Sequence, residues 1–455
     1  MARKAIGDIA AGRLSPEVLA RHFGEVEPAL ERQAALVEAN RCYYCFEAPC
    51  IQACPTGIPI PHFIRRIASE DPRGAAEAIL SANIMGGICA RVCPTEVLCE
   101  GECVRNTEGD SPIRIGALQR YATDWVFRDG ARLFERAPAT GRRVAVVGAG
   151  PAGLACAHAL ARNGHTVEVF DARPRPGGLN EYGIAAYKVP GFAQREVEWL
   201  LGIGGITIHC DRALGRDLEL AALRRDYDAV FLGLGLAAVN ALGLDGEDLP
   251  GVRDAVEFIA ELRQCADLST LPVGRRVVVI GGGNTAIDAA VQSRRLGAEQ
   301  VTLVYRRGPE AMSATPAEQE FAKSEGVTVM CWARPLRLLS VDNRLSGIEF
   351  EYTRLDAGGG LADSGERFTL PADTVLKAIG QRLDAGPLNG GGAPLRLDRG
   401  RIAVDEEYRT SLPGVWAGGD CVGRGADLTV QAVEDGKRAA VSIQRALIGQ
   451  EKPHG

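Results

Sequence analysis

Residues 142–171 (RRVAVVGAGPAGLACAHALARNGHTVEVFD) and 275–307 (RRVVVIGGGNTAIDAAVQSRRLGAEQVTLVYRR) follow one plan. Each opens on paired arginines, runs through a short apolar strand into a glycine turn, continues as a long helix and returns in a second strand. Strands without polar alternation are buried on both faces, and a strand–helix–strand connection makes them parallel. The chain is therefore predicted to be α/β, with two Rossmann-like, three-layer nucleotide-binding domains. The copies start at Arg142 and Arg275, far beyond the roughly 50-residue period of solenoid repeats, so this is a duplicated fold unit. Further buried strands are expected at 227–235, 373–380 and 414–420, with a last helix near 428–447. They divide the chain into 142–250 and 384–455, two parts of one domain, and 251–383, a second domain inserted in it. Residues 1–136 show no β-alternation and read as a helical domain. Ser15 and Pro16 supply an N-cap and first helical residue for a helix through Val18, Leu19 and Phe23. The breaker-rich stretch 137–141 is a linker.

The turns carry the binding chemistry. Gly148-Ala149-Gly150-Pro151-Ala152-Gly153 fits G-x-G-x-x-G between a strand and a helix. Its glycines allow a tight turn, close approach to pyrophosphate and close helix packing, and the helix N-terminus favours the anion. Asp171 ends the second strand, where an acid accepts hydrogen bonds from a ribose. Two further pieces mark this first site as FAD-binding. Residues 173–179 (RPRPGGL) bring Gly178 and Leu179 after the acid, and Gly418-Gly419-Asp420 follows a late strand shortly before a helix. Asp420 suits ribityl hydroxyls, and that helix aims its positive end at the flavin. The second cradle, Gly281-Gly282-Gly283-Asn284-Thr285-Ala286, is a G-x-G-x-x-A variant whose second strand ends in Arg306 and Arg307. Arginines there meet a 2′-phosphate, which on chemistry alone favours NADP over NAD. A flavin and a nicotinamide in one chain imply hydride transfer.

Eight of thirteen cysteines lie between Cys42 and Cys103, in the runs Cys42-x2-Cys45-x4-Cys50-x3-Cys54-Pro55 and Cys89-x3-Cys93-Pro94-x4-Cys99-x3-Cys103. Two cysteine runs with Cys-Pro resemble paired cubane clusters. Zinc is the rival, although two zinc ribbons would pair two C-x2-C knuckles and only one is present. Cys156, Cys210, Cys265, Cys331 and Cys421 are expected to be buried small hydrophobes. Neither Cys156 nor Cys421 has a close second cysteine, which argues against a disulfide reductase. A hydride delivers two electrons and a cubane accepts one, so a flavin between them divides the pair. The net charge of −6 gives no electrostatic reason for nucleic acid or membrane partners. No apolar run reaches spanning length and the start lacks an apolar signal core, so a cytoplasmic protein is expected.

The stretches SANIMGGICARVCPTEVLCEGECVRN (81–106), SPIRIGALQRYA (111–122), GGLNEYGIAAYK (177–188) and DLTVQAVEDGKRAA (427–440) resemble the flavin-containing half of dihydropyrimidine dehydrogenase and its free-standing bacterial subunit. The chain is more distantly similar to the small subunit of glutamate synthase. The resemblance implies two 4Fe–4S clusters, one held by Cys42, Cys45, Cys50 and Cys103. The other would use Cys54, Cys93, Cys99 and the side chain of Gln119, leaving Cys89 unligated. The residues alone would have chosen Cys89. The resemblance also implies FAD contacts at Gly148–Gly153, Asp171, Leu179, Lys188, Leu214, Asp420 and Thr429, and nucleotide contacts at Gly282–Thr285, Arg306, Arg307 and Ala378, Ile379 and Gly380. Ser313 stands where the NADPH-using animal enzyme has a third arginine, which shifts the expectation to NAD(H), with NADP(H) the alternative. The family's FMN-binding, pyrimidine-reducing barrel is missing, so a separate FMN- and iron–sulfur-containing subunit is expected to reduce uracil or thymine. The rivals are a glutamate synthase small subunit, a ferredoxin–nucleotide reductase and a redox-sensing or assembly module.

Overall fold

The computed structural model describes residues 8–389 and 394–449. The chain divides into two compact units: one of Met1–Val26, Tyr182–Pro190 and Val239–Gln381, the other of Glu27–Glu181, Gly191–Ala238 and Arg382–Gly455.

The larger unit joins a helical part to a parallel sheet. The sheet orders its strands Val415–Ala417, Ala229–Leu232, Arg143–Val147, Thr166–Phe170 and Ile206–His209, every neighbouring pair parallel. These strands are apolar where both faces are covered, with 144–147, Ala229–Leu232 and Val415–Ala417 buried throughout. The helices Pro151–Arg162 and Thr429–Ile448 pack against each other. In the helical part, Arg32–Ala39, Ile60–Ala68, Pro72–Ala82, Gly86–Val92 and Ile115–Asp129 enclose a core of Phe63, Ile64, Ile67, Ile79, Leu80, Leu118 and Val126. The edge-to-face rings Phe127–Phe192 and Phe127–Trp199 join this part to the helix Phe192–Leu201.

The smaller unit has its own parallel sheet, ordered Thr328–Met330, Gln300–Val304, Arg276–Ile280, Thr374–Lys377, Val252–Asp254. It also carries an antiparallel meander, Ala333–Val341, Arg344–Leu355 and Leu361–Pro371, which is not among the elements expected from the sequence. Its first hairpin turns through Asp342 and Asn343, both with positive φ, the backbone a two-residue type I′ loop requires.

The first helix forms as expected, over Pro16–His22, with Ser15 Oγ accepting from Val18 N at 3.5 Å. Its allegiance does not follow the expected helical domain of residues 1–136. Residues 8–26 belong with the nucleotide unit. Leu19 and Phe23 enter a core with Ile287, Val291 and Leu296, and His22 and Arg295 exchange bonds with each other's carbonyls. An amphipathic helix must bury its apolar stripe somewhere, and sequence proximity does not say where. One short pairing precedes Arg142, where no β-alternation is present: Ile9–Ala10 lies antiparallel to Val273–Gly274. A two-residue strand is too short to show alternation. Among the described residues no single helix is long and apolar enough to cross a membrane.

Candidate functional site

In the larger unit, the first glycine turn is built by close backbone approach. Gly148 has φ 102°, and a Cβ on Gly153 would meet its carbonyl oxygen at 1.8 Å. The Asp171 carboxylate, at the end of Thr166–Phe170, accepts Ala149 N at 2.6 Å and Arg173 N at 2.8 Å. Burial raises its pKa against those two donors. Gly178 lies against Gly150, where a Cβ would stand 2.7 Å from the Gly150 Cα. Gly177 N bonds Ala149 O at 2.7 Å. The paired glycines thus form a second wall on the phosphate turn. Leu179 opens the short helix Leu179–Tyr182 and is exposed, whereas Leu214 is buried in the core beside Leu218.

The C-terminal part closes the same site. Gly419 packs on Ala152, and Gly419 N donates to Asp435 at 3.0 Å. Asp420 follows, its pKa pushed up to about 6 by burial with Asp427 adding to it. A partly buried carboxylate can accept from the hydroxyls of a ribityl chain. Thr429 heads the last helix and donates to Asn180 Oδ1 at 3.0 Å, while Asn180 Nδ2 reaches Met85 Sδ at 4.0 Å. The residues present fit FAD.

The second cradle, in the smaller unit, has the same form. Gly281 closes on the Ala378 carbonyl and Gly282 on the Tyr305 ring. Gly283 is the N-cap of Asn284–Arg295, which carries Thr285 in its first turn. Asn284 Oδ1 is buried without a hydrogen-bond partner, an acceptor left for a bound nucleotide. Ala378, Ile379 and Gly380 continue Thr374–Lys377 beside this turn, and Asn240 holds Ile379 O and Gly380 O at 3.2 and 3.1 Å. Arg306 and Arg307 are exposed, and their side chains bond no described residue. Lys188, expected among the FAD contacts, falls in this smaller unit. It bridges Asp288 at 2.9 Å and Glu318 at 2.7 Å. Burial alone would lower its pKa, but the two carboxylates raise it.

The cysteines fall into two groups. Cys42, Cys45, Cys50 and Cys103 line one cavity among Ile60, Ile64, Ile113 and Ile115. Burial, with Cys42, Cys103 and Cys45 adding to it, pushes the Cys50 thiol to about 12. A hydrogen bond to Cys89 and burial raise the Cys93 thiol, and Cys99 and Cys54 raise it further. Thiols so placed ionise together only around a cationic centre, and binding one releases their protons. Among the described residues no three candidate ligands converge as on a single metal ion. Gln119, buried on Ile115–Asp129, donates Nε2 to Gly86 O at 2.7 Å, a bond that does not use its amide oxygen.

Residues 19–131 match dihydropyrimidine dehydrogenase domain II, 4Fe-4S cluster. Residues 142–436 match pyridine nucleotide-disulphide oxidoreductase. The chain belongs to the pyridine nucleotide-disulphide oxidoreductase family. It is 35% identical to the glutamate synthase (NADPH) small chain of Halomonas elongata, over 96% of each chain. It is equally 35% identical to the NAD-dependent dihydropyrimidine dehydrogenase subunit PreT of Escherichia coli K12, over 94% of this chain and 98% of that one. In fold it resembles Mycobacterium tuberculosis FprA in complex with NADPH, with a TM-score of 0.56, 20% identity, and 69% and 85% of the chains covered.

As a family member the chain is an oxidoreductase of FAD, NAD(P)H and 4Fe–4S clusters. Cys156 and Cys421, in the part that matches this family, are buried and free. The expectation that all five later cysteines are buried fails for Cys210, Cys265 and Cys331, each only partly covered. Each sits at the end of a strand or helix, where cover thins. Sequence reasoning missed two residues that tie the FAD-binding part to the cysteine helices. Glu196, wholly buried, accepts Gly87 N at 2.8 Å and Ile88 N at 3.1 Å. Lys437 donates to Thr56 O at 3.1 Å and Ala82 O at 2.9 Å, and Thr56 Oγ1 lies 3.3 Å from Cys54 Sγ. Only the unusual placing of Glu196 on an apolar helix face signalled it.

Proposed function

We propose that this chain is the electron-input subunit of a dihydropyrimidine dehydrogenase. NADH reduces FAD at the first cradle, and FAD divides the pair between two 4Fe–4S clusters. These pass single electrons to a separate FMN- and iron–sulfur-containing subunit that reduces uracil or thymine to the 5,6-dihydropyrimidine. One cluster is assigned to Cys42, Cys45, Cys50 and Cys103, the other to Cys54, Cys93, Cys99 and Gln119. The direct tie from the flavin-side helix, through Lys437 and Thr56, to Cys54 carries the reading. It joins a two-electron site to a one-electron carrier within a single packed unit. Hydride transfer needs no acid–base group, and the protein's contribution is positioning and redox tuning. The setting proposed is the cytoplasm.

A second reading, the small chain of a glutamate synthase, has the same support in sequence identity. Reconstitution separates them. NADH-driven uracil reduction should appear only when the FMN-containing subunit is added. Uracil reduction by this chain alone overturns the division of labour. Glutamate formation from glutamine and 2-oxoglutarate with a synthase large chain, and no pyrimidine activity, favours the second reading.

A further inference from the structure

The most exposed large apolar side chain among the described residues is Phe46, which is 100% exposed. It stands between Cys45 and Cys50, in the loop that lines the first cysteine cavity. Tyr43, between Cys42 and Cys45, is half-exposed and lines the same cavity. This loop is held in place. The Arg105 guanidinium lies 4.8 Å from the Tyr43 ring centre, the Tyr43 hydroxyl donates to Glu108 at 2.8 Å, and Ala48 is buried beneath. Two aromatic rings held outward by a fixed loop are the usual anchors of a protein interface.

The charges around them are uneven. Glu47 and Glu102 are exposed and form no ion pair among the described residues. The cations nearby are engaged. Arg41 pairs with Glu38, Arg105 with Asp110, and Arg65 lies 4.8 Å from the Tyr44 ring centre. A cubane held by four thiolates adds further negative charge beneath the loop. The face has an aromatic centre and an acidic rim.

We propose that Phe46 and Tyr43, rimmed by Glu47 and Glu102, form the docking face for a protein one-electron acceptor with a basic rim around its own redox centre. The acceptor takes electrons from the cluster assigned to Cys42, Cys45, Cys50 and Cys103. This deepens the electron-input reading and rests on it. The overall step balances as one NADH and two oxidised carriers giving NAD+, one proton and two reduced carriers.

The test uses the holo chain, anaerobically, with cytochrome c as the basic protein acceptor and ferricyanide as a small acceptor that needs no docking face. Phe46→Ser should lower the NADH–cytochrome c rate about tenfold, the loss of one interface anchor, with ferricyanide reduction unchanged. Glu47→Gln with Glu102→Gln should raise the KM for cytochrome c and flatten its dependence on ionic strength, because steering by the rim is lost. Unchanged cytochrome c kinetics in both variants overturn the docking face while leaving the electron-input reading standing. Parallel loss with both acceptors, accompanied by iron loss, also overturns it, because Phe46 would then be holding the cluster. Wild-type protein whose flavin is bleached by NADH but which reduces no cytochrome c overturns the electron-input reading, and the docking face with it.

Discussion

Replacing Gly436 by alanine sets two effects of opposite sign against each other. Gly436 lies inside the helix Thr429–Ile448, where alanine would ordinarily stabilise by about 1 kcal/mol through helix propensity. Here a Cβ would stand 2.0 Å from the Ala152 carbonyl oxygen, 2.9 Å from its carbon and 3.1 Å from its Cα. A carbon and an oxygen without a bond between them rest about 3.2 Å apart, so one helix must move by roughly 1 Å relative to the other. The obstacle is backbone, which cannot swing aside as a side chain can. Overpacking of this kind costs about 1–3 kcal/mol, and a rigid obstacle points to the upper end. The net expectation is a loss of about 2 kcal/mol. Ala152 belongs to the phosphate turn, so the same movement should weaken FAD binding. Thermal unfolding followed by flavin fluorescence should show a midpoint lower by roughly 4–8 °C, at about 2–4 °C per kcal/mol, and purified protein should carry less FAD. A variant with a raised midpoint and full FAD content would show that helix propensity outweighs the contact.

Arg306→Ala with Arg307→Ala should weaken NADPH binding at least tenfold and leave NADH binding within about twofold, because only the former offers a 2′-phosphate. Equal losses for both nucleotides, in a binding titration, would remove the arginines from that role. Gln119→Leu should cost one cluster, read as about half the iron and labile sulfide, whereas Cys89→Ser should retain both; the reverse pattern would make Cys89 the ligand. Glu196 has its pKa pushed up to about 8 by burial, against the Ile88 and Gly87 amides and Arg91, with Asp124 raising it further. Its folded-state pKa lies above the ordinary carboxylate value, so the folded state favours the proton. Stability from this site is complete at low pH and declines as pH rises from about 4.5 to about 8. Glu196→Gln should abolish that decline in urea titrations across the window. Parallel curves for variant and parent would show that Glu196 is ionised throughout.

Much of the site can be read along the chain because its parts are local. A strand, a glycine turn and a helix within thirty residues specify a phosphate cradle because the pattern is contiguous, although Gly148 and Gly281 make room for backbone far along the chain, at Gly233 and Ala378. The Gly148–Gly153 turn with Asp171 is of this kind, and Gly281–Thr285 repeats it. The cysteine spacings belong to the same class, although the partition between Cys89 and Gln119 does not. Spacing measures loop length, and Gln119 approaches from another helix.

The doubled strand–turn–helix unit and the two cysteine runs were determined by the sequence itself: an α/β chain with two nucleotide cradles and a cluster-binding head. Long-range packing settles which unit claims residues 8–26, pairs Lys188 with Asp288 and Glu318, and sets Lys437 and Glu196 as ties between the flavin part and the cysteine helices. These contacts join residues distant in sequence. Burial and hydrogen bonding select such partners from the whole folded chain, whereas periodicity and spacing record only what each segment does with its neighbours.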